Sequence, residues 1–225
     1  IDRSLVGSEM CIRDSDNRDT GLSSRIQNDS FNKDNVNKTI IRNYIRYYLR
    51  LPIKSEYTID DMADDGVSVL DHLNIENAHI LGISMGGMIA QIMASSYPEK
   101  TKTFTLIAST ASTPSPFNGP SKDVRRLFIE RTKNVDATIE DRVSRTKKLF
   151  KLIGYQGIDL DTQEFSDNVK LSIERGGVDD TGFGRQLTAI LGSKNRIEKV
   201  RSISAPTLII HGKDDPLILS LIHIW

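Results

Sequence analysis

Residues 82–86 read Gly-Ile-Ser-Met-Gly, which places one serine between glycines two positions away on either side. A serine hydroxyl attacks a carbonyl carbon only if it stands clear of the chain, on a sharp strand-to-helix turn strained at the serine itself. Gly82 and Gly86 are expected to relieve the crowding such a turn creates, which makes Ser84 the candidate nucleophile. A helix that starts straight after the serine points its positive end at the reacting carbon. The N–H of Met85 is then placed to donate to a developing oxyanion. The competing explanation is a chance Gly/Ser turn, and only the flanking elements separate the two.

Those elements have the required order. The apolar run at 78–81 reads as a strand. Met85, Met88, Ile89, Ile92 and Met93 then fall at helical spacing until Pro98 stops the run. Residues 104–108 read as a second, buried strand, so the unit is strand, helix, strand, and its two strands are expected to lie parallel with a right-handed crossover. Upstream, 16–25 is polar loop and 40–51 a short helix. Thr58 with Asp61 forms a capping-box start, after which Ile59, Met62, Ala63, Val67 and Leu70 mark an amphipathic helix ending near Asn74. Downstream, Pro114, Pro116, Gly119 and Pro120 open a helical stretch whose apolar faces come from Leu127, Phe128, Val143, Leu149, Phe150 and Ile153. Within it Arg142, Arg145, Lys147, Lys148 and Lys151 read as a solvated helix face rather than an anion site. Strand character returns at 206–211 and ends in Gly212-Lys213-Asp214-Asp215-Pro216.

Composition narrows the function classes. Thirty Lys and Arg balance thirty Asp and Glu, so no overall field draws nucleic acid or an anionic membrane, and neither is expected as a partner. The lone Cys11 forms no internal disulfide, and no run approaches the roughly 20 apolar residues that span a bilayer. A cytoplasmic location is expected.

The elbow, the strands around it, the helical insertion and PTLIIHGKDDP together resemble the α/β-hydrolase fold. Within it, DNRDTGLSS, YTIDDMADDGVSVLDHLNIENAHILGISMGGMIAQ and GRQLTAILGS are similar to bacterial esterases related to aclacinomycin methylesterase. The resemblance implies a parallel-sheet α/β core with a helical cap inserted between core strands, and a Ser, acid, His order along the chain. It assigns the nucleophile to Ser84 and the acid to Asp215, the aspartate directly before Pro216. Asp214 is the neighbouring competitor, and an Asx turn is the structural alternative for Asp215. It further implies a small-molecule carboxylic ester as substrate, with no cofactor and no metal. Homoserine acetyltransferase-like enzymes also carry a Ser-Met-Gly-Gly elbow, so acyl transfer is the competing chemistry, and a non-catalytic ligand-binding protein is the alternative of another class. Dehalogenases and epoxide hydrolases are disfavoured, because those relatives place aspartate at the elbow.

The general base is not evident. His72 falls on a helix, His79 inside a strand and His211 at a strand end. His223 follows Asp215 too closely, since only ten residues remain after the acid and a helix plus a strand need roughly 15. Residues 4–15 and 219–224 resemble translated adapter sequence, with a flexible natural tail at each end as the alternative. The expected organisation is therefore a non-native leader at 1–15, core at 16–111, cap at 112–199, core with acid loop at 200–218, and a non-native tail at 219–225. On this expectation the catalytic His and a second oxyanion donor from an early loop are both missing, and the chain as it stands is inactive.

Overall fold

The computed structural model describes residues 12–26, 36–112, 119–133, 137–176 and 181–218. Cys11, Pro114, Pro116, His223, residues 1–11 of the leading segment and the whole 219–225 tail lie outside the described residues.

Three parallel strands form the sheet: β1 (Ala78–Ile83), β2 (Thr101–Ile107) and β3 (Thr207–Ile210), in that spatial order. β1 and β2 start or end two to three residues beyond the expected limits because their register continues past the most apolar positions, from Ala78 opposite Thr101 to Ile83 opposite Ile107. Eight α-helices accompany them among the described residues: α1 (Val36–Tyr48), α2 (Ile59–His72), α3 (Met85–Ser96), α4 (Lys122–Lys133), α5 (Ile139–Ile153), α6 (Gln163–Gly176), α7 (Thr181–Leu191) and α8 (Ile197–Arg201), with a 3-10 turn at Pro98–Lys100.

Local chemistry sets the helix ends. Thr58 accepts from the N–H of Asp61 while Asp61 accepts from the N–H of Thr58, so the expected capping box starts α2. An identical box of Thr138 and Asp141 starts α5. α2 ends at His72, and Asn74 just beyond it takes a left-handed φ of 54° that asparagine tolerates better than most residues.

The core is built around α3. Its residues Gly87 to Ala94 are all buried, a helix covered on every side rather than along one stripe. One flank packs Met88, Ile89, Ile92 and Met93 against Ile59, Met62, Ala63 and Val67 of α2. The other sets Ala90 and Ala94 on Phe104 and Leu106 of β2. Small residues on the sheet side let the helix approach the strands, and the larger Met and Ile side chains fill the space toward α2.

Among the described residues the opposite face of the sheet is largely bare. Leu81 and Ile83 of β1 are 60% and 57% exposed, and every residue of β3 is exposed. α4 to α7 occupy the chain between β2 and β3, and α1 packs against α4 and α7, so the helical layer also draws on the segment before the elbow. Two expectations for this layer change. Arg142 is buried with its Nε donating to the Ala137 carbonyl at 3.2 Å, so it is not part of a solvated face. Lys147 and Lys151 do pair at the surface with Asp161. Phe150 is 45% exposed against Phe165, whereas Val124 of α4 and Thr188 and Ala189 of α7 are fully buried.

Candidate active site

The turn between β1 and α3 is strained at Ser84, whose φ of 52° and ψ of −118° lie outside the regions an L-residue ordinarily occupies. Such a conformation costs of order 1–3 kcal/mol and persists only where its surroundings fix it. Here the Ser84 N–H donates to Ile107 O at 3.0 Å, tying the turn to the end of β2. The Ser84 carbonyl accepts from Gly87 and Met88 at 2.9 and 3.2 Å.

A serine before a helix usually caps it by accepting from the N–H two or three residues on. Ser84 holds the N-cap position of α3 without any side-chain cap hydrogen bond. Its hydroxyl is thus uncommitted to the helix, and Met85, as the first helical residue, carries an N–H with no intrahelical acceptor.

The glycines divide the work differently from the expectation. A Cβ at Gly82 would come within 2.2 Å of Gly86 O, so the chain can fold back only if position 82 has no side chain. A Cβ at Gly86 would meet nothing within 4 Å, and the expected crowding there is absent. The tight position is Gly87, where a Cβ would lie 2.5 Å from Ser109 Cβ and 2.7 Å from Leu106 Cδ1.

Asp215 lies on the loop after β3, at the same carboxyl edge of the sheet. The link is continuous: Ser84 bonds to the end of β2, and the Ala108 N–H at that end donates to Ile210 O of β3 at 2.9 Å. Asp215 Oδ1 accepts from the N–H groups of Leu217 and Ile218 at 2.8 and 3.0 Å, which is the Asx-type turn considered as its structural alternative. Oδ2 stays outside that turn, 3.5 Å from His211 Nε2, and the carboxylate is largely buried. Asp214 is exposed.

The described histidines are placed apart from the serine. His72 is exposed at the end of α2. His79 faces the bare side of the sheet and shares a hydrogen bond with Thr103 Oγ1 at 2.8 Å. His211 lies two strands from Ser84, about 10 Å at the usual strand spacing, and its Nε2 is 2.8 Å from Ile218 O. No group of three or more His, Cys, Asp or Glu side chains that could hold a metal ion occurs among the described residues.

One buried arginine supports the elbow helix and another ties a distant loop to α7, and the sequence carried no signal for either. Arg196 donates from Nε to Gln91 Oε1 on α3 at 3.1 Å and from Nη2 to Thr110 O at 2.9 Å, joining the elbow helix to the segment after β2. Burial pulls its guanidinium down to about 10. Arg185 of α7 pairs with Asp19 of the loop at 16–25, and both side chains are removed from solvent.

A parallel sheet with a strained serine at its strand-to-helix turn and an aspartate-bearing loop at the same edge is the layout of the hydrolase class of α/β proteins. The chain belongs to the alpha/beta hydrolase fold family, which matches residues 15–224. It is 25% identical over 175 residues to rhodomycin D methylesterase DnrP of Streptomyces peucetius, covering 71% of this chain and 58% of that protein. Over 54 residues it is 43% identical to homoserine O-acetyltransferase of Thermus thermophilus, covering 24% of this chain and 14% of that protein. The crystal structure of MGS-M2, an alpha/beta hydrolase from a Medee basin deep-sea metagenome library, superposes with a TM-score of 0.60 at 22% identity, covering 92% of this chain and 62% of that one. The chain thus spans less than two thirds of the methylesterase's length. No helix among the described residues is long and apolar enough to cross a membrane.

Proposed function

We propose that the chain carries the nucleophile and acid of a serine hydrolase acting on small carboxylic esters. The observation that carries this reading is the strained Ser84 backbone with its hydroxyl left uncapped at the head of α3. Ser84 Oγ attacks the ester carbonyl carbon, and its proton passes to a general base. The tetrahedral oxyanion takes a hydrogen bond from the Met85 N–H. Its collapse expels the alcohol, which leaves with that proton, and water then hydrolyses the acyl-enzyme. Asp215 orients the imidazole of the base and stabilises its protonated form through Oδ2, the oxygen not committed to the loop turn. None of the three described histidines lies beside Ser84, and the base of this scheme has no assigned residue among the described ones. No cofactor or metal enters the scheme.

The similarity to the Streptomyces methylesterase favours ester hydrolysis. The short match to homoserine O-acetyltransferase supports a second reading, acyl transfer to an alcohol. Partitioning separates them. The longest reading frame that contains this chain is assayed on short p-nitrophenyl esters with and without an added alcohol. Hydrolysis that the alcohol leaves unchanged and that Ser84→Ala abolishes supports the esterase, whereas an acylated alcohol as the dominant product supports the transferase. Turnover unchanged in Ser84→Ala would contradict both.

A further inference from the structure

The zero net charge of the chain conceals a local segregation on one helix. Positions 36 to 55 hold five cations, Lys38, Arg42, Arg46, Arg50 and Lys54, and no carboxylate. α1 buries Ile40 and Asn43 and half-buries Tyr47, the side turned toward α7 and α4. Its other side presents Ile41, Ile45 and Leu49, which are 53%, 54% and 64% exposed. Their spacing of four residues stacks them along one line of the helix surface. The Leu49 N–H donates to Ile45 O at 3.0 Å, so the turn continues past Tyr48 and keeps Leu49 on that line. Exposed Lys38 and Arg42 stand beside the stripe. Tyr48 borders it with its ring edge-on to Tyr44, and its hydroxyl accepts from Arg125 of α4 at 2.9 Å, which adds a further cation.

We propose that this face of α1 docks the protein on an anionic lipid surface, with Ile41, Ile45 and Leu49 inserted at the level of the acyl chains and the cations against the headgroups. An apolar stripe flanked by Lys and Arg, on a helix with no acidic residue, has the composition of an interfacial helix, and a tyrosine at its border suits the headgroup level. Charge complementarity selects this occupant. A second copy meeting the same face by two-fold symmetry would bring cations against cations. A nucleic acid would satisfy the cations and leave the three aliphatic side chains in water. Balanced total charge is no obstacle, because the attraction to a charged surface falls off within about a Debye length, roughly 8–10 Å, and only the nearest side chains feel it.

The chain is floated with vesicles of phosphatidylcholine alone or of equal parts phosphatidylcholine and phosphatidylglycerol. The expected result is binding to the phosphatidylglycerol vesicles only, weakened by high salt. Lys38→Glu with Arg42→Glu should lower the affinity about fivefold or more for each cation lost. Ile41→Ser with Ile45→Ser should abolish binding while circular dichroism stays unchanged, since neither pair touches the buried side of α1. Failure to bind either vesicle, equal binding to both, or binding that both double variants retain would overturn the proposal. So would a dimer that dissociates in Ile41→Ser/Ile45→Ser without vesicle binding, or retention on heparin by a chain that ignores vesicles.

Discussion

Arg185 donates through Nε and Nη2 to the two carboxylate oxygens of Asp19, at 2.8 and 3.1 Å, across 166 residues of chain. The pair fastens the polar loop at 16–25 to α7, and Asp19 also accepts from the Ile26 N–H at 2.7 Å. Removing one partner of a buried, bidentate pair leaves the other charge uncompensated, at a cost of about 3–5 kcal/mol. Asp19→Asn and Arg185→Met should therefore each lower the urea midpoint sharply, and the double variant should lose less than the sum of the two. Additive losses would show that the residues act independently.

The same arginine lies 3.7 Å from Glu56, whose carboxyl is pushed up from its ordinary range by burial, with Arg185 opposing and Asp19 reinforcing the shift. Burial also works against ionisation of Asp19, but the hydrogen bond from Arg185, the Ile26 N–H and the charge of Arg185 outweigh it and hold that group below the usual value. The two carboxyls thus act in opposite directions on stability. Asp19 has a depressed folded value, so its contribution is present above the unfolded carboxylate range and is lost as pH falls through the folded value. Glu56 has a raised folded value, so stability declines as pH rises from the unfolded range through the folded one. Glu56→Gln should remove that decline and leave the acid-side loss intact, as read from urea midpoints across pH. A Glu56→Gln curve parallel to wild type would refute the assignment.

At the elbow, Gly82→Ala and Gly87→Ala should both destabilise, because the added Cβ meets Gly86 O in the first case and Ser109 and Leu106 in the second. Gly86→Ala should leave the thermal midpoint unchanged or raise it, because alanine is favoured over glycine in a helix by up to about 1 kcal/mol. A midpoint for Gly86→Ala as low as that of Gly82→Ala would contradict the turn geometry.

That division of labour marks the limit of what the sequence conveyed. The periodicity of Ile59, Met62, Ala63 and Val67, the Thr58 box and the apolar runs before Ser84 and after Pro98 lay in local spacing, and all correspond to observed elements. The parallel sheet followed from the strand, helix, strand order. Which glycine is crowded depends on what approaches from β2, and no local pattern records it. Asp19, Arg185 and Arg196 carry no local signal of burial for the same reason. Their partners lie far along the chain, and burial of a charge is legible only once the partner is known. The cationic run of α1 was readable in the sequence, but the balanced total hid it, and only the exposure of Ile41 and Ile45 gives it a direction.

For the acid, Asp215→Asn in the longest reading frame containing this chain should cost orders of magnitude in kcat, whereas exposed Asp214→Asn should cost little. The reverse order would exchange their roles, and equal losses would leave neither as the acid. Asp215→Asn should also loosen the loop turn at Leu217 and Ile218, so retention of the fold is checked by circular dichroism alongside the rates.

The central claim is that Ser84 is an activated nucleophile, and covalent labelling tests it most directly. A fluorophosphonate probe is incubated with the protein expressed from that reading frame, and the modified residue is mapped by peptide mass spectrometry. The account predicts a single adduct on Ser84, absent in Ser84→Ala and formed much more slowly in Asp215→Asn. An unmodified Ser84, or equal labelling of Ser84→Ala, would contradict it.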